Sequence, residues 1–417
     1  MFKADGTGTT DSTLAFYSAI NTGSLIYVPA GVYIVDKLLI SKSVTIFGDG
    51  SATIIKQSPT AVAGTNSINI VGASGVTFKS LQIRGFSDAP IFEEHTHLVF
   101  TNNARNVLFQ AVQFTGWKGD GVYLGSNSAG TTNQDVVVDS CLFDGVNKQN
   151  RNAVSSITVD GLTVKNCIFT RCSRNDMPGA IDIEPNLVTD INKNITIRNN
   201  TLLDIGGNVG AITVFYKNAA FTQEPSNITI KDNILSNCQV ALNYYDARGA
   251  NASIVGYTYT AANNNVSDSV KGITVIGGSG VAVTGNNISN CTDSNFIGFS
   301  NTSTVYNVLF TGNKLQTNGS ISGKGLVIAS VDTLTISNNE LSDCGTGNAG
   351  SSIAIDLGSN GTSSDISLIN NTFTSPTGKT KVAVQKETSH VTNSATNRKI
   401  GNSFNGLIDN FPADITT

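Results

Sequence analysis

The sequence predicts an all-β chain wound as a parallel β-solenoid of about eleven or more coils, because one short phrase recurs along it, charge is scarce, and no segment leaves room for a long helix. Charged residues are 13% of 417, about half the roughly 25% usual in soluble domains, and 41 glycines punctuate the chain. A hydrophobic fraction of 39% is too high for disorder, and the Ala/Glu/Lys/Leu/Arg enrichment of coiled coils and helical bundles is missing. No apolar run approaches the roughly 18 residues of a membrane span, so no membrane insertion is expected. A net charge of −4 and a pI near 5.4 disfavour a nucleic-acid partner.

The first element is a lid, since an open solenoid end would expose apolar edges. Thr10-Asp11-Ser12 reads as an N-cap, and Phe16, Ala19 and Ile20 share one face of the short helix that follows. Leu25 to Tyr33 then gives the first strand and turn. The start, Met1-Phe2-Lys3-Ala4-Asp5-Gly6, has no basic-then-apolar segment, so no signal peptide is expected. The expected organisation is a cap over 1–35, a solenoid over 36–385 and a C-terminal cap or tail over 386–417.

The phrase runs apolar, two variable residues, a fixed position, one variable residue, apolar. Val164-Lys165-Asn166-Cys167-Ile168-Phe169, Ile197-Arg198-Asn199-Asn200-Thr201-Leu202 and Ile230-Lys231-Asp232-Asn233-Ile234-Leu235 show it. Its fixed positions are Leu81, Val112, Cys141, Cys167, Asn200, Asn233, Asn264, Asn286, Asn313, Asn339 and Asn371, spaced 22–33 residues apart. Asparagine at one phase of successive coils would hydrogen-bond up and down the stack and satisfy buried turn backbone. Asn-Xaa-Ser/Thr matches arise from this ladder rather than from glycosylation.

Cys172, Cys238, Cys291 and Cys344 each follow a ladder position by five residues, in alternate coils. Coils rise about 4.8 Å, so neighbours in that row are roughly 10 Å apart, beyond the roughly 7 Å a disulfide spans between α-carbons. They should be free thiols filling the core. Cys141 and Cys167 lie in adjacent coils, where a bridge is geometrically open, although two inward thiols are favoured. The last 30 or so residues lose the phrase.

Two sets of segments carry a resemblance. Ala4-Asp5-Gly6-Thr7-Gly8-Thr9-Thr10-Asp11-Ser12-Thr13, Ala19-Ile20 and Tyr27-Val28-Pro29-Ala30-Gly31-Val32-Tyr33 resemble the opening of the pectate-lyase-like superfamily, which includes bacteriophage tailspike depolymerases. Glu94-His95-Thr96-His97-Leu98, Gly116 to Leu124, Arg151 to Ser155 and Pro178 to Asn186 are similar to a narrower group of phage-tail and bacterial β-helix proteins. The resemblance implies a right-handed parallel β-helix, often a homotrimer, acting on a bacterial surface polysaccharide from a virion tail or as a secreted protein.

Ile181-Asp182-Ile183-Glu184 is the sharpest local feature. Alternation turns both isoleucines inward and both carboxylates onto one outer face. Aligning coils by apolar phase puts Tyr123, Ser155, Asp182, Thr213 and Asn243 in one outward column, and Gly125, Ile157, Glu184, Phe215 and Tyr245 in the next. Glycosidic hydrolysis needs one protonated carboxyl and one carboxylate. Asp182 and Glu184 supply that pair, with β-carbons roughly 6–7 Å apart, and mutual repulsion would raise one pKa. Asp120, about two coils away, is a third catalytic candidate.

Sugar rings stack on aromatic side chains, and Trp117, Tyr123, Phe215 and Tyr245 cluster near the acids. Tyr216 and Tyr244 fit core or turn positions. Arg151 and Lys217 flank the acidic coil, placed either to contact substrate or simply as solvated surface. His97 is a substrate-contact or structural candidate. His95 and His97 lack a third ligand at suitable spacing, so neither a metal nor a cofactor is expected.

The pattern points first to a glycoside hydrolase depolymerising a capsular or related surface polysaccharide. A lyase or C5-epimerase on a uronic-acid polymer is the enzymatic rival, drawing on Arg151, Lys217, His97 and Tyr123. A glycan-binding adhesin is the non-enzymatic one.

Overall fold

A computed structural model describes residues 2–59, 61–85, 92–126, 130–223, 225–248, 256–299, 305–318, 324–345, 351–355, 363–378, 380–386, 397–410 and 415–416. It is an all-β parallel solenoid, the architecture of a right-handed β-helix, with a single helix among the described residues. Contacts divide the chain into two units, Met1–Thr213 with Phe221–Ser226, and Val214–Ala220 with Asn227–Thr417.

In the first unit the helix Thr13–Thr22 buries Phe16, Ala19 and Ile20, as its spacing predicts. Ser12 is the N-cap residue, but Asp11 does the capping: its Oδ1 accepts the Thr13 N–H at 2.7 Å. Coils then stack in parallel register. Val76, Val107, Val136, Leu162 and Ile195 are successive partners, each at most 1% exposed. Rings of Phe114, Phe143 and Phe169 stack at 4.6 and 4.8 Å, the spacing of one coil on the next. Such columns explain the phrase: an apolar residue is required wherever the coil turns a side chain inward.

The fixed position is a hydrogen-bonding rung. In the first unit the Cys141 N–H donates to Cys167 Sγ at 3.4 Å, and the Cys167 N–H to Asn200 Oδ1 at 2.9 Å. The second unit runs Asn233, Asn264, Asn286, Asn313, Asn339, Asn371, each backbone N–H donating to the next Oδ1 at 2.8–3.1 Å. Nδ2 of Asn286 also donates to Asn313 Oδ1 and to the Ala261 carbonyl, both at 2.9 Å. The residue before each rung is left-handed: Asn166, Asn199, Asp232, Asn263, Asn338 and Asn370 all have φ of 53–56°. Asn, Asp and Gly tolerate that conformation best, so the second variable place of the phrase is a constrained one.

The ladder continues one coil further than the phrase does, because Asn371 N–H donates to Asn402 Oδ1 at 2.8 Å. Lys399 stands where the phrase demands an apolar residue, and its ammonium pairs with Asp409 at 2.6 Å. All six cysteines are buried and free, including Cys141 and Cys167. No helix of the described residues is long and apolar enough to cross a membrane.

Candidate active site

The four segments of the narrower resemblance meet on the first unit. Strands Val99–Asn102, Val122–Gly125, Val154–Ser156 and Ile181–Ile183 pair successively in parallel, with Tyr123 opposite Ser155 and Ser155 opposite Asp182, the register of the expected outward column.

That face is not an open groove wall. Asp182 is 1% exposed, Glu184 7% and Asp120 0%. Glycines allow this closure. A β-carbon on Gly119 would lie 2.8–3.0 Å from the carbonyl oxygens of Glu93, Glu94 and Thr96, and one on Gly121 would lie 2.6 Å from that of Ala153. The bare backbone on both sides of Asp120 therefore lets neighbouring segments close over its carboxylate.

Asp120 has no unoccupied oxygen. Oδ1 accepts the Asn152 N–H at 3.0 Å and Oδ2 accepts from Arg151 Nη1 at 2.9 Å. The candidate acid–base carboxylate is thus a buried brace for Arg151. Asp120 chiefly holds the guanidinium pKa above its ordinary value. The remaining edge of the guanidinium is a vacant fork, since Nε lies 4.0 Å from Glu94 Oε1 and Nη2 4.0 Å from Glu184 Oε2, beyond hydrogen-bond range. The Glu94 side chain is 53% exposed, which leaves it open to solvent beside this fork.

Asp182 is more deeply buried than Glu184. Its Oδ2 accepts from Asn152 Nδ2 at 2.9 Å, while its Oδ1 is buried without a partner. Burial raises its pKa well above the ordinary value, with the Glu184 charge adding to the rise and Arg151 opposing it. Burial and the neighbouring Glu184 charge both favour the protonated form of Asp182.

His97 is buried at 5% exposure, with its ring stacked on Tyr123 at 4.3 Å and 8°. Its Nδ1 accepts the Asp120 N–H at 3.0 Å, so the 3.3 Å approach of that nitrogen to Asp120 Oδ2 is not an ion pair. Burial lowers its pKa, which favours the neutral imidazole that accepts the Asp120 N–H. Tyr123 is half-buried between His97 and Phe100, and burial raises its pKa, so the phenol stays protonated.

Trp117 is corrected outright. It is 0% exposed and packs edge-on against Phe143 at 6.2 Å, so it is a core residue and no sugar platform. In the second unit Phe215 and Tyr245 are half-buried on outward positions, with rings 4.9 Å apart, while Tyr216 and Tyr244 are core. Lys217 is exposed.

Sequence reasoning did not single out Glu94 or Asn152. Both lie inside the resembling segments, adjacent to His95 and Arg151, but neither residue type is distinctive alone. No group of three or more His, Cys, Asp or Glu suited to a metal occurs among the described residues.

Fold and cluster together define a parallel β-helix with an acid-rich side-chain cluster built across consecutive coils. The chain belongs to the rhamnogalacturonase A/epimerase, pectate lyase-like family, whose model matches residues 1–243. Gene product 12 of bacteriophage phi29 has a similar structure, with a TM-score of 0.73 at 15% identity, covering 98% of this chain and 55% of that one. This chain therefore spans about half the phage protein's length. The mannuronan C-5 epimerase AlgE6 A-module of Azotobacter vinelandii gives 0.60 at 16% identity, covering 99% and 98%. An exopolygalacturonase of Thermotoga maritima gives 0.56 at 12%, covering 89% and 90%. At such identities the likeness is one of fold. No curated protein matches the sequence.

Proposed function

We propose that this protein is a polysaccharide depolymerase of the glycoside-hydrolase type, acting on a bacterial capsular or related surface polysaccharide. The observation that carries this reading is the buried pair Asp182 and Glu184 beside the Arg151 guanidinium, whose Nη2 lies 4.0 Å from Glu184 Oε2, with burial and the Glu184 charge raising the Asp182 pKa. Asp182 is the more enclosed of the two, at 1% exposure against 7%, so Glu184 is the group nearer to substrate and passes the proton to the leaving glycosidic oxygen. Asp182 holds that proton in reserve. Glu94, across the fork, is the second carboxylate and activates water. Roughly 6.5–9.5 Å between the two carboxyls would give inversion.

The same fork favours neutral sugars. A guanidinium edge flanked by two carboxylates suits hydroxyls, each accepting from a guanidinium N–H and donating to a carboxylate. A uronate would meet the carboxylates of Glu94 and Glu184 against one cation already neutralised by Asp120. Elimination or epimerisation needs that cation free and a base to match. Tyr123 is protonated and His97 is engaged, so neither supplies one.

Digesting purified capsule and measuring both reducing ends and absorbance near about 235 nm separates the chemistries. Reducing ends without absorbance are expected. Absorbance would establish a lyase, and binding with neither product an adhesin. Homotrimeric assembly and action from a virion tail belong to the same proposal, supported by the tailspike-like opening and the likeness to a phage gene product. Light scattering should then return three times the 43.6 kDa chain mass.

A further inference from the structure

Arg151 and Asn152 together clamp both aspartates of the cluster. The Asn152 N–H donates to Asp120 Oδ1 at 3.0 Å. Its side chain, 0% exposed, has two protons on Nδ2, and both are spent: one on Ser155 Oγ at 2.9 Å, the other on Asp182 Oδ2 at 2.9 Å. Two buried oxygens nearby have no hydrogen-bond partner, Asn152 Oδ1 and Asp182 Oδ1. Buried polar atoms are rarely left so, and where they are, a proton or a ligand is usually missing from the account.

We propose that Asn152 is a positioning residue which selects the oxygen of Asp182 that carries the proton. Because Nδ2 donates to Oδ2, that oxygen serves as the carbonyl acceptor. The hydroxyl is therefore Oδ1, the oxygen that no other group engages. Ser155 keeps the amide from rotating, since Asn152 gives its other proton there. The charged and titratable groups around Asp182 are Glu184 just past the end of its strand, Arg151, Asp120 and Tyr123. None of them donates to Oδ2, so the choice of oxygen falls to Asn152. This inference rests on the carboxyl pair proposed above and adds the direction in which its proton points.

Infrared difference spectroscopy of the whole chain tests it without substrate. A protonated carboxyl gives a C=O band, and a carbonyl that accepts a hydrogen bond absorbs at lower wavenumber than a free one. The Asp182 band is the one lost in Asp182→Asn. In Asn152→Ala that band should persist and move to higher wavenumber, because its acceptor oxygen is released. A band that persists without moving overturns the role of Asn152 and leaves the carboxyl pair intact. If Asp182→Asn removes no band, Asp182 is not protonated, and the pair itself fails together with this inference. Should Asn152→Ala not fold, the wild-type spectrum decides: a band at the position of a free carbonyl overturns the proposal.

Discussion

The asparagine ladder of the second unit and the Arg151 cluster of the first are both buried polar networks strung across adjacent coils, yet they are completed differently. Each ladder amide repeats its neighbour's bonds, as when Asn313 receives from Asn286 through Oδ1 and gives to Asn339 through N–H and Nδ2. The cluster mixes residue types, leaves Asp182 Oδ1 and Asn152 Oδ1 without partners, and keeps two guanidinium nitrogens 4.0 Å from their nearest carboxylates. A closed network holds a fold together. One with open positions is a place where something else can bind or a proton can move.

That contrast breaks most readily at Glu184. Glu184→Gln should lower kcat by about 10²–10⁴-fold with thermal stability little changed, because the lost group is the one that meets substrate. Near-full activity in the reducing-end assay would remove Glu184 from the chemistry.

Arg151→Met comes next. It leaves Asp120 buried with no cation, so chemical denaturation should show a loss of about 3–5 kcal/mol. If the midpoint hardly moves, Asp120 is not the buried charge that Arg151 balances.

Asn313→Ala is the matching lesion in the ladder. It strands the N–H and one Nδ2 proton of Asn286, and should cost about 1–3 kcal/mol in unfolding while sparing activity. Loss of activity at unchanged stability would reverse the roles assigned to the two networks.

The smallest effect is a pH dependence. Asp182 has a raised folded pKa, so its contribution is intact below the unfolded value of about 3.9 and is lost as pH rises toward the folded value. Wild type should lose about 1.4 kcal/mol per pH unit across that window relative to Asp182→Asn. Parallel stability profiles for the two proteins would show that Asp182 ionises freely.

Period and register were legible because inward residues must be apolar wherever one coil lies on the next. The outward column of Tyr123, Ser155 and Asp182 followed directly from that alternation. Burial of the column was not legible, because it comes from segments that close over the strands rather than from the strands themselves. Only Gly119 and Gly121 hint at it, and their meaning depends on carbonyls some 25–32 residues away in sequence, those of Glu94 and Ala153. The burial of Trp117 and Asp120 was hidden for the same reason. The final coil escaped notice because Lys399 breaks the apolar pattern while Asn402 keeps the rung.

The ladder also has a direction. From Asn233 to Asn402 each amide gives one Nδ2 proton forward to the oxygen of the next, through six consecutive links, while from Asn264 onward the other proton goes back to a backbone carbonyl of the preceding coil. The amide dipoles are aligned head to tail, much as peptide units are along a helix axis, and each polarises the next. Each coil therefore presents its successor with a donor at a fixed height, matched by a single carbonyl oxygen on a short side chain. Winding could proceed by templated addition, in which a completed coil selects the register of the one that joins it.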